Sequence, residues 1–64
     1  MQGVVSSFDE HAGLGVIAVV EGGTVPFHCI AIADGTRSIA VGAQVRFELI
    51  AKLGRYEAAD IRPA

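Results

Sequence analysis

His28 and Cys29 stand side by side in the segment VPFHC, and an imidazole next to a thiol is the pairing from which a cysteine nucleophile or a metal site can be built. Both uses need the two side chains to converge on one point. Val25, Pro26 and Phe27 alternate as a strand does, and neighbours on a strand face opposite sides, so only a bulge would bring His28 and Cys29 together. His11, in the loop before the second strand, would add one ligand more and no third. Asp9 and Glu10 are adjacent acids in that same loop, where solvated polar residues are ordinary, and no second pair of carboxylates faces them across a cleft. AGLGV, residues 12–16, has glycines but no following helix, which a phosphate-cradling loop requires. Gly13 and Gly15 fit a tight turn and close strand packing instead. The chemistry-bearing residues therefore predict no enzyme, no metal and no cofactor, and point towards binding.

Those residues need elements to position them. Sixty-four residues with 52% hydrophobic side chains suit one domain, residues 1–64, burying roughly 60% of its unfolded surface. The lone Cys29 cannot form an internal disulfide, so stability must come from the core, and a reduced thiol suits a cytoplasmic location. The start MQGVVSSFDE has no basic segment followed by a long apolar run. The longest apolar stretch, VIAVV at 16–20, is far below the roughly 20 residues of a membrane span. The expectation is a soluble protein without a membrane partner.

No window holds apolar residues at helical spacing, and alternation with β-branched residues dominates. Strands are predicted near 2–8, 14–20, 24–30, 44–51 and 56–62. EGG, residues 21–23, reads as a tight hairpin, and ADG, residues 33–35, as a second turn. Val45, Phe47 and Leu49 share one face of the fourth strand. Val25 and Phe27 do so on the third, with Pro26 and His28 opposite. On the second strand, Ile17 and Val19 face the core while Leu14, Val16 and Ala18 face outward. One longer connection, turn and 3₁₀ in character and anchored by Ile32 and Ile39, follows the third strand. The reading is all-β: a small five-stranded antiparallel barrel.

Five Lys/Arg against seven Asp/Glu leave a formal charge of −2, which speaks against strong non-specific binding of phosphate. Every basic residue, from Arg37 to Arg62, lies in the second half. Arg37, Arg46, Lys52, Arg55, Arg62 and Tyr56 could form a surface that contacts phosphate and stacks on bases. Glu48, Glu57 and Asp60 are interleaved with them, which equally describes a solvated mixed-charge surface.

In this order and spacing the chain resembles the cold-shock domain family, an OB-type barrel. MQGVVSSFD is similar to the family's Gly-x-Val-Lys-Trp-Phe-Asn start. AGLGVI stands where the family has Lys-Gly-aromatic-Gly-Phe-Ile, and VPFHC where it has Val-Phe-Val-His-Phe. SIAVGAQVRFEL resembles the Ser-Leu-x-x-Gly-x-x-Val-x-Phe approach to the fourth strand, and EAADI the closing Gln-Ala-x-Asn-Val. The resemblance implies single-stranded RNA or DNA lying across the first three strands, its bases stacked on exposed rings at roughly 1–3 kcal/mol each.

Most of those rings are replaced. Ser7 occupies the tryptophan position, Leu14 and Val16 the aromatic positions of the first motif, and Pro26 and Cys29 those of the second. Ser6 and Ala12 stand where basic residues are expected, and Thr36 near the aromatic of the long loop. Phe8 and His28 are the ring-bearing positions that remain, Phe8 either stacking a base or covering the barrel edge. Gly13, Gly15, Val5, Ile17 and Val25, which the barrel needs, are kept. Two functions follow. One is a nucleic-acid-binding module of weakened affinity using Phe8, His28, Arg46, Arg55 and Tyr56. The other is a protein-contact or self-association module on the altered face of Ser7, Leu14, Val16, Pro26 and Cys29.

Overall fold

The computed structural model describes all of residues 1–64. Its strands are β1 (Gln2–Asp9), β2 (Leu14–Val19), β3 (Thr24–His28), β4 (Gln44–Lys52) and β5 (Arg55–Pro63), with a 3₁₀ turn at Cys29–Ala31. They form one antiparallel sheet in the order β3-β2-β1-β4-β5. β3 and β5, the two sheet edges, come against each other. A parallel bridge between Ile32 and Ile61, with Ala33 N–H donating to the Ile61 carbonyl at 2.9 Å, helps close the barrel. No helix is long and apolar enough to cross a membrane.

The core is what the alternation predicts. Val5, Ile17, Val19, Val25, Phe27, Val45 and Phe47 are buried together with Ile32, Ala58 and Ile61. Gly15 is buried for a steric reason: a Cβ there would run into the Phe27 ring across the β2–β3 ladder. Gly22 and Gly23 take φ of 113° and 81° in the EGG turn, where the Gly22 N–H donates to the Val19 carbonyl at 2.9 Å. Ile32 anchors the long connection in the core, and Ile39 packs against it half-buried.

One local expectation is corrected and two local details are added. The third strand ends at His28 rather than residue 30, because Cys29 starts a 3₁₀ turn closed by Ile32 N–H donating to the Cys29 carbonyl at 3.2 Å. β1 carries a bulge between Val5 and Ser7 opposite Ile17 and Val16, with Ser6 Oγ donating to the Val16 carbonyl at 3.2 Å. Leu49 shares the face of its cross-strand partner Ala58 but is 39% exposed. From Glu48 onward every β4 residue is exposed, so right direction does not mean burial.

Pro26 shows how the β3 edge tolerates a residue without an N–H. Cys29 N–H donates to the Gly13 carbonyl at 2.8 Å and Val19 N–H to the Gly23 carbonyl at 3.0 Å. Antiparallel pairs alternate between bonded and non-bonded. Pro26, opposite Val16, therefore falls on a non-bonded position with its nitrogen turned away from β2, and the ladder loses nothing.

Candidate nucleic-acid interface

The outer faces of β1, β2 and β3 meet in an open groove of about 480 Å³. Ser7, Leu14, Val16, Pro26 and His28 line it, with Arg55 and Glu57 from β5 along one side. Register explains the meeting: Leu14 pairs with His28 and Val16 with Pro26, and Ser7 pairs with Val16 across the bulge. Cross-strand partners share a face. The floor is aliphatic and partly open, Leu14 being 47% exposed.

The polar side of the groove centres on Glu57. Its side chain is only 14% exposed and lies between two bases. His28 Nε2 is 3.9 Å from Oε2, and Lys52 Nζ is 3.8 Å from Oε1. Lys52 is directly across the hairpin from Arg55. His28, Lys52, Arg55 and Glu57 thus form one charged margin, three potential cations to one carboxylate, beside an apolar bed. Such an arrangement can hold a phosphate backbone at the margin and unstacked bases over the bed.

Phe8 stands at the end of β1, half-buried against the core. Its ring stacks on Phe27, with centroids 5.8 Å apart and planes 3° apart. The ring therefore has a structural duty on one face, whatever it does on the other. Cys29 lies off the groove lining, half-buried against the core with its sulfur beside Gly13. The acids considered for chemistry have local tasks. Asp9 Oδ1 accepts from the N–H groups of His11 at 3.0 Å and Ala12 at 3.2 Å. Glu10 accepts from Ser38 Oγ at 2.8 Å, tying the first loop to the long connection. No three His, Cys, Asp or Glu side chains gather anywhere in the chain.

The basic residues do not form one surface. Arg55 belongs to the groove. Tyr56, next to it on β5, is cross-strand from Ala51 and so faces the other way. Arg46 lies in a different row, between Gln2 of β1 and Arg62 of β5. Arg62 is held by Asp60, which accepts from Nε at 3.1 Å and faces NH2 at 3.0 Å; that bond and charge raise the guanidinium's pKa further above its ordinary value. Glu57, which the sequence offers only as an acid interleaved with the basic residues, is the groove residue that sequence reasoning passed over. Period-2 alternation puts Glu57 with Arg55 on one face of β5. What the alternation does not show is that β5 closes against β3.

Comparison with known proteins agrees with this architecture. The family model described as 'Cold-shock' DNA-binding domain matches residues 1–64. Among solved structures, the Drosophila protein described as Unr CSD456 is similar at a TM-score of 0.82 and 30% identity, over 98% of this chain. This chain spans only 26% of that one. No curated protein matches it. Five antiparallel strands with the family's motif order, and a family match over the whole length, place the chain in the cold-shock DNA-binding domain family, whose members are nucleic-acid-binding modules.

Proposed function

We propose that the chain binds single-stranded RNA or DNA across the β1–β3 face, with less stacking and more dependence on phosphate contact than a ring-bearing platform would give. The observation that carries this is the position of Arg55. It lies in the same groove as His28, Leu14, Val16 and Pro26, so a cation flanks the surface on which bases would rest. At the substituted positions, each missing ring forgoes roughly 1–3 kcal/mol of stacking. The contributions are not additive, and the affinity is accordingly weak. A protein-contact role for the same face is less favoured, because charged side chains share the groove with its few aliphatic groups.

The test is a titration of labelled single-stranded RNA and DNA heptamers at low and near-physiological salt. Binding at low salt that weakens as salt rises, and weakens on Arg55→Ala, supports the reading. Absence of binding at low salt, or an Arg55→Ala variant with unchanged affinity, overturns it.

A further inference from the structure

On the other side of the barrel, beneath the long connection, a second cavity of about 420 Å³ opens between the loop and the β4–β5 pair. Half of its lining is hydrophobic, including Ile32, Ile39, Ala43, Val45 and Ile61. Arg46 and Arg62 stand at one margin, directly opposite each other across the β4–β5 ladder. Like charges so placed repel. Arg62 is relieved by Asp60 at 3.0 Å, whereas Arg46 has no carboxylate within ion-pair distance. Asp34 also lines the cavity, and its Oδ1 already accepts from Thr36 N–H at 3.0 Å and Thr36 Oγ1 at 2.8 Å.

We propose that this cavity binds a small amphipathic carboxylate, its aliphatic body against the half-buried Ile39 and Ala43 and its head on Arg46. The volume lies in the range of small-molecule pockets, which combine an apolar lining with a few placed polar groups. Arg46 is the polar group here. A guanidinium that its own chain leaves unpaired, next to a second guanidinium, is a site where an anion relieves repulsion and gains a fork of donors. This site is separate from the β1–β3 groove and does not depend on the nucleic-acid reading. A bound ligand would touch both loop and barrel, and so would hold the long connection in place.

The experiment uses the full chain and three probes of equal length: octanoate, octanol and octylammonium. Amide chemical shifts are followed by NMR during each titration. The expected result is octanoate-dependent shifts centred on Ile32, Ile39, Ala43, Arg46 and Ile61, with octanol binding about tenfold more weakly, as expected on losing a charge-assisted hydrogen bond. Arg46→Gln should bring octanoate down to the level of octanol, with its melting temperature confirming an intact fold. The proposal is overturned if octanoate shifts no residue of this cavity, if its shifts centre on Leu14 and His28 instead, if octylammonium binds as well as octanoate, or if Arg46→Gln leaves octanoate affinity unchanged.

Discussion

The rings of Phe8 and Phe27 lie parallel, 3° apart in plane with centroids 5.8 Å apart, one half-buried at the end of β1 and the other 1% exposed in the core. A residue that the family resemblance assigns to base stacking is thus also part of the barrel's own packing. Phe8→Ala should lower stability by about 2 kcal/mol, less than a fully buried phenylalanine because the ring is half-buried. Phe8→Leu should retain most of that stability and remove only the flat π-face. Urea denaturation of both variants, alongside oligonucleotide titration, separates the roles. Weakened binding in Phe8→Leu with near-normal stability means that the outer face of the ring meets a base.

Gly15→Ala should be among the most damaging small changes in the chain. The added methyl meets the Phe27 ring and lies 2.9 Å from the Ser7 carbonyl oxygen, so overpacking costs about 2–3 kcal/mol in a small domain with little stability to spare. Trimming the ring should partly relieve the clash. Denaturation midpoints of Gly15→Ala, Phe27→Leu and the double variant should be non-additive, the double variant losing less than the two losses summed. Strict additivity would show that the ring is not what Gly15 accommodates.

These two glycine and phenylalanine positions also show why so much of the barrel is legible in the sequence. Alternation places Val25 and Phe27 inward and Pro26 and His28 outward without any knowledge of partners, because the period of a strand is a local property. EGG announces its hairpin for the same local reason. Burial and adjacency are not local. Leu49 points inward as its spacing requires, yet 39% of it stays exposed, since the length of a hairpin relative to the core depends on every other strand. Arg55 and Glu57 reach the groove of His28 only because β5 closes on β3, a contact spanning about half the chain. Arg46, by contrast, seemed equivalent to Arg55 by composition and lies elsewhere.

Acidification should loosen the long connection through Asp34. Hydrogen bonds from the Thr36 N–H and hydroxyl hold its carboxyl below the ordinary 3.8. Because the folded-state value is depressed, whatever the turn gains is present above the unfolded value and is lost as pH falls through the folded one. The group is fully exposed, so the effect is local to the turn. Thr36→Val removes the hydroxyl and keeps the N–H. The Asp34 titration, followed by NMR, should then move up part of the way towards 3.8. A titration unmoved by Thr36→Val would place the whole shift on the backbone bond.

Glu57 is the groove residue whose removal should strengthen binding. Its carboxylate faces His28 at 3.9 Å and Lys52 at 3.8 Å, so it occupies two groups that could otherwise attend to phosphate, and it adds a negative charge where a polyanion must approach. Glu57→Gln keeps the shape and removes the charge. Releasing about one additional phosphate contact should steepen the dependence of log affinity on log salt by roughly 0.7 for a single strand. At low salt the same change should tighten binding by about twofold to fivefold, the scale of one surface charge pair. Arg46→Gln, outside the lining of the groove, should leave both quantities where they are. The pair of variants therefore separates a specific margin at β5 from a diffuse effect of net charge, which would respond to both substitutions and in opposite directions.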